Sequence, residues 1–145
     1  MSLHLIKLCV GADSVEDLRQ WQTERLAELK RQQRPAELVH TTRQFPRRKD
    51  DIIPGGSLYW VIRGIILVRQ PLIDLRPVTG DDGIERCEIV YRKNLIPVRP
   101  WPRRAFQGWR YLPADDAPPD LKAGETALDK IDPAMRRQLL ELGLL

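Results

Sequence analysis

Serine and histidine are scarce, with three and two residues in a chain of 145. Nucleophilic catalysis by serine, or metal binding through imidazoles, therefore has little to draw on. Ser57, within Gly55-Gly56-Ser57-Leu58, does not sit in the GxSxG turn that exposes a hydrolase nucleophile. A triad of Ser57, His40 and Asp50 or Asp51 can be drawn on paper, as it can in most chains. Cysteine is as rare. Cys9 and Cys87, with His4 and His40, are the soft ligands besides two Met, and none has CxxC or HxxxH spacing. With no export signal, the two thiols read as buried rather than bridged. Long apolar runs are missing too. Residues 58–68 are interrupted by Arg63 and fall short of the roughly 18–20 needed to span a bilayer. Residues 1–10 are apolar but contain Lys7 and lack a small-residue cleavage site, so they do not read as a signal peptide. These absences lead to the expectation of a cytoplasmic protein with no cofactor, no metal and no membrane partner.

What is present is globular in proportion: 42% hydrophobic and 30% charged residues. The length suits one domain over residues 1–145. Twelve Pro and nine Gly imply many turns. The net charge of +4 is unevenly spread. Residues 43–110 carry fourteen basic and seven acidic side chains, and twelve of the fourteen are Arg. Arg presents a planar fork of donors to phosphate and stacks on flat rings, so this segment points to a polyanion.

Along the chain, residues 3–10 read as a first strand ending at Gly11. Ser14 offers a helix cap, followed by acidic Glu16 and Asp17. Val15, Leu18, Trp21, Leu26 and Leu29 then recur at helical spacing, so a helix is expected over 14–33, with Trp21 in its core stripe. Residues 37–44 read as a strand, and 45–51 as a charged loop. Residues 58–62 form an aromatic, β-branched run suited to a buried strand. Arg63-Gly64 reads either as a two-residue hairpin or as a bulge in one bent strand. Strand character returns over 65–68, bends at Pro71, and resumes through Leu75 to the turn 79–83 and a returning strand over 84–91. Asp132-Pro133 opens a last helix carrying Leu139, Leu140 and Leu142. The reading is α+β: a curved antiparallel sheet or partial β-barrel, with an N-terminal and a C-terminal helix.

The stretch 98–111 interleaves Arg99, Arg103, Arg104 and Arg110 with Trp101, Phe106, Trp109 and Tyr111. Arg neutralises phosphate, and flat rings stack on unpaired bases at about 1–3 kcal/mol each. An alternative is that the rings pin an irregular loop and leave the Arg side chains in solvent. Arg43, Arg47, Arg48 and Lys49 form a second basic cluster beside the Pro54-Gly55-Gly56 turn. That turn could offer backbone N–H groups to an anion, although it lacks P-loop spacing.

The segments Ile53-Pro54-Gly55-Gly56-Ser57-Leu58-Tyr59-Trp60-Val61-Ile62-Arg63-Gly64 and Pro102-Arg103-Arg104-Ala105-Phe106-Gln107-Gly108-Trp109-Arg110-Tyr111-Leu112 resemble an uncharacterised bacterial family of single-domain proteins, over nearly the whole chain. That resemblance implies no activity and no catalytic residue. In architecture alone, the helix followed by curved strands is similar to the PUA-like superfold, whose members often bind RNA or modified bases.

The leading expectation is a binding module rather than an enzyme, with RNA or another single-stranded nucleic acid as partner. Arg99, Arg103, Arg104 and Arg110 would meet phosphates, Trp101 or Trp109 would stack on a base, and Arg47, Arg48 and Lys49 would extend the track. A second expectation is a small-molecule binder or enzyme, holding an anion in a barrel mouth through Gly55, Gly56, Arg63 or Arg69. A third is a protein-interaction module, pairing with a second copy through the C-terminal helix.

Overall fold

The computed structural model describes residues 3–122 and Arg137. The C-terminal helix expected from Asp132 lies, Arg137 apart, outside the described residues. So do the leucines through which a second copy was expected to pair.

The chain begins with strand β1 (His4–Leu8) and helix α1 (Val15–Arg31). Ser14 caps the helix: its Oγ accepts from the Asp17 N–H at 3.1 Å. Glu16 and Asp17 lie at the positive end of the helix dipole, and Lys30 and Arg31 at the negative end. Gln33 leaves the helical path at a φ of 55°, and Pro35 prevents its return. The buried residues of α1 are Leu18, Gln22 and Leu29, while Trp21 is 52% exposed. The helix is thus rotated relative to the expected stripe, with Gln22 in the interior and Trp21 out of the core.

Strand β2 (Leu38–Thr42) follows, then α2 (Lys49–Ile52), a single turn where a loop was expected, and β3 (Ser57–Ile62). Arg63 and Gly64 have φ of 52° and 83°, so they form the tight hairpin rather than a bulge. Strand β4 (Ile65–Thr79) runs fifteen residues, straight through Pro71. Strands β5 (Glu85–Tyr91), β6 (Ile96–Pro102) and β7 (Trp109–Leu112) complete the set.

These strands make one seven-stranded sheet in the order β2-β5-β4-β3-β1-β7, with β6 also on β4. Strand β4 is its spine. Its first half pairs with β3 and β6, and beyond Pro71 it pairs with β5. Pro71 has no N–H to give a ladder, and its carbonyl accepts from Arg92 N–H at 2.9 Å. Register shifts at Trp60/Val61, Ile66/Val68 and Leu72/Asp74 bend the sheet. The pairing is antiparallel except between β1 and β3, which run parallel. The sheet does not close into a barrel: β2 and β7 remain as its two margins.

The inner face of the sheet packs Leu5, Leu58, Trp60, Ile62, Val68, Leu75, Ile89 and Tyr91 with Leu18 of α1. The outer face of β1, β3 and β4 buries Ile6, Tyr59, Val61 and Ile66 with Val98 and Leu112. Phe106 and Ala117 pack against this second cluster. Among the described residues, no helix is long and apolar enough to cross a membrane.

Candidate functional site

The arginine and aromatic stretch lies mainly along the outer face. Trp101 pairs with Ile66 across the ladder, so it shares that face, and it is 57% exposed. Arg103 donates its backbone N–H to the Gly64 carbonyl, which ties this loop to the β3–β4 hairpin. The guanidinium carbons of Arg103 and Arg110 lie 5.6 and 5.4 Å from the centroid of the Phe106 ring. One ring therefore carries two cations. Arg110 also donates to the carbonyls of Gln107 and Trp109, at 2.7 and 3.0 Å. Arg104 is exposed. Among the described residues, none of Arg103, Arg104 and Arg110 has a carboxylate at ion-pair distance. Arg99 is half-buried: its backbone N–H donates to Pro119, and its Nε is buried with no partner among the described residues.

Trp109 has a different place. It is 8% exposed, donates its Nε1–H to the Gln44 carbonyl at 2.8 Å, and meets Tyr111 edge-on at 4.8 Å. Its ring is an anchor between β7 and the chain after β2.

The second basic cluster meets the first at β7, from the other side. Arg48 lies 5.8 Å from the Tyr111 ring, and its backbone N–H donates to the Tyr111 hydroxyl. Its side chain pairs with Asp51, and Lys49 pairs with Asp74 at 3.1 Å. Arg47 is exposed. Tyr111 and Arg110 are neighbours on a strand and point to opposite faces. The two clusters therefore flank one sheet margin without forming a single flat track.

The residues expected to hold an anion in a barrel mouth are occupied otherwise. The Gly56 N–H donates to the Ile52 carbonyl at 2.7 Å. A Cβ at Gly56 would lie 2.5 Å from the Leu3 carbonyl oxygen and 2.6 Å from that of Ile52, which accounts for glycine there without any ligand. Gly55 supplies a positive φ of 102° to the same turn. Arg63 supplies the hairpin. Arg69 grips Asp120 with two bonds of 2.8 Å and reaches Ser57 Oγ at 2.7 Å. That grip raises the Arg69 pKa and lowers that of Asp120. Ser57 is fully buried, and its N–H donates to Nδ1 of His4, so the nearby imidazole is His4. His40 lies on the other face against Trp60, and no Ser57–His40 pair exists.

The open margin between β2 and the β1–β7 pair forms a cleft of about 590 Å³, lined by Lys7, His40, Thr42, Arg43, Trp109 and Arg110 among others. Beside it is a recess of about 340 Å³, walled by Trp60, Tyr91, Trp21, Leu18 and Cys9. His40 belongs to both. Its ring stands edge-on to Trp60 at 6.2 Å, and Trp60 stands edge-on to Tyr91 at 6.0 Å. Lys7 lies between two indole-bearing residues in the ladder, Trp60 on β3 and Trp109 on β7. Burial lowers its pKa; the Cys9 thiol opposes that, and no carboxylate among the described residues is at ion-pair distance. Burial, and then Lys7, lower the His40 pKa to about 4, so the imidazole is neutral at physiological pH. Burial raises the Cys9 and Cys87 thiols to about 11, which leaves both protonated and inert. The widest groove, about 750 Å³, lies elsewhere, along the second half of α1. Its cations Lys30, Arg34, Arg92 and Lys93 are all exposed.

The sequence reading passed over Lys7, His40 and Trp21 as a group. Lys7 interrupts an otherwise apolar strand, and that was its one visible signal. The parallel pairing that sets it beside Trp60 joins positions more than fifty residues apart.

No curated protein and no solved structure matches the chain significantly. Residues 5–145 match the family described as Protein of unknown function (DUF1489), and the chain belongs to that family.

Proposed function

We propose that this protein is a non-catalytic module that binds single-stranded nucleic acid, RNA foremost, through the outer face of its sheet. One observation carries the reading. Arg103, Arg104 and Arg110 are free of carboxylates among the described residues and stand on the face that presents the exposed Trp101 ring. A set of cations with no acid at ion-pair distance beside an open indole suits phosphate with an unstacked base. Stacking on Phe106 holds two of the guanidiniums, which lowers the ordering cost of binding. A PUA-like architecture is part of the same proposal. It is supported by a strongly bent sheet with one helix across its inner face.

The test is fluorescence anisotropy with a short labelled RNA over a range of salt. The double variant Arg103→Ala/Arg104→Ala is expected to weaken binding alike across sequences and to reduce the salt slope by about 1.4, from two lost single-strand phosphate contacts. Trp101→Ala is expected to cost about 1–3 kcal/mol with the slope unchanged. Absence of binding by the wild type at low salt would overturn the proposal.

A further inference from the structure

The recess and cleft at the open margin are a site of their own, on the inner side of the sheet. Four observations define what they can hold. The recess is lined by the buried rings of Trp60 and Tyr91, the half-exposed ring of Trp21, and Leu18. Its volume, about 340 Å³, is at the small end of ligand pockets, which run from about 300 to 1,000 Å³, and suits one planar ring system. The His40 imidazole, in the wall common to recess and cleft, makes no hydrogen bond to any described residue. Because it is neutral, one ring nitrogen donates and the other accepts. Lys7, half-buried on the cleft, has no carboxylate partner among the described residues, and the exposed Arg43 lies on the same cleft.

A half-buried ammonium without an acid beside it favours an anion brought from outside. A ring-lined recess favours an apolar, flat guest. An imidazole with both ring nitrogens available between them favours a guest with polar atoms on its edge. A lipid tail would satisfy the rings and leave Lys7 and His40 unmatched. Inorganic phosphate would satisfy Lys7 and leave the recess empty.

We infer that the margin between β2 and β1–β7 binds a nucleoside monophosphate unit, its base in the recess against Trp60, Tyr91 and Trp21 with its edge toward His40, and its phosphate in the cleft at Lys7 and Arg43. The unit can come from two sources, a free nucleotide or an unpaired residue of a strand. The site shares Arg110 with the outer-face proposal, but none of Trp101, Arg103 and Arg104 lines it, so variants at Arg103 and Arg104 separate the two.

The experiment follows the His40 ring resonances by NMR and the tryptophan fluorescence of the intact chain during titration with AMP, GMP, CMP and UMP. The matching nucleosides and a short single strand with a 5′-phosphate are titrated in parallel. At least one nucleotide is expected to shift the His40 resonances saturably, with its nucleoside at least tenfold weaker. Lys7→Met is expected to bring the nucleotide down to the level of its nucleoside, and His40→Phe to weaken both at least tenfold. Arg103→Ala/Arg104→Ala is expected to leave these titrations unchanged. Binding of the strand alone, still lost in Lys7→Met, assigns the source to a strand and upholds the site. The His40 shift needs no variant to fold. If neither nucleotides nor strand move it at millimolar concentration, or if nucleoside and nucleotide bind equally, the inference is overturned. Loss of RNA binding in Arg103→Ala/Arg104→Ala with the His40 shifts intact would separate the two sites.

Discussion

Strand β3 turns alternate residues toward two interiors of different chemistry. On the inner face, Trp60 donates its Nε1–H to Gln70 Oε1 at 2.8 Å. Gln70 and Gln22 exchange amide bonds of 2.8 Å each, and Gln70 also donates to the Arg92 carbonyl at 3.0 Å. Every member of this network is neutral, and Gln70 is fully buried. On the outer face, Ser57 and Tyr59 lie beside His4 and an ion pair, Arg69 with Asp120, where Asp120 reaches solvent. The contrast follows from desolvation. A buried amide needs only its hydrogen bonds satisfied, whereas a buried charge costs more than its partner returns unless water still reaches one end. The inner network fixes α1 on the sheet. The outer pair fastens the segment after β7, which also joins β6 through the Val98–Asp120 bridge and the Leu121 N–H to Pro97 bond.

The sharpest way to break this contrast is Gln70→Leu. It strips partners from Trp60, Gln22 and the Arg92 carbonyl at once, and urea unfolding is expected to show a loss of about 3 kcal/mol. A loss below that of any outer-face substitution would mean that the amide network is not what fixes the helix. Asp120→Asn comes next, with a loss near neutral pH of about 1 kcal/mol, because the pair is partly solvated. Its pH dependence sharpens the comparison. Arg69 holds the Asp120 carboxyl below its ordinary 3.8, so the folded state takes up this proton less readily than the unfolded chain. The stabilisation is complete above the ordinary value and fades as pH falls through the lower folded value. Wild type and Asp120→Asn should therefore converge in stability in acid, while Gln70→Leu keeps its deficit at every pH. The smallest effect is expected from Trp101→Ala, within about 0.5 kcal/mol in the same unfolding experiment, since its ring is more than half exposed. A larger loss would make Trp101 part of the outer core.

The sequence was legible where structure is local. Ser14, the acidic first turn and Pro35 bounded α1, and the buried run over 58–62 was plain in its aromatic and β-branched residues. It was illegible where a side chain depends on a distant partner. Periodicity placed Trp21 in the core because Gln22 reads as polar; only Gln70, forty-eight residues on, makes Gln22 the interior residue. The arginines of 98–111 were visible as a set. That Arg110 and the rings of Trp109 and Tyr111 take opposite faces rests on the register of β7 against β1, which composition does not carry. The neutral, unpartnered His40 was one of only two histidines and gave no motif. Its setting is created by a margin that sequence spacing alone leaves open between sheet and barrel.

That unclosed margin has a mechanical consequence. Elsewhere along the sheet, prising neighbours apart breaks a whole ladder of main-chain bonds. Between β7 and the chain from β2 to α2, the described residues are stitched by side-chain bonds instead, Trp109 to the Gln44 carbonyl and the Arg48 N–H to the Tyr111 hydroxyl, each worth about 1 kcal/mol. The margin is therefore the line at which the sheet parts at least cost, with the ladders on either side left whole.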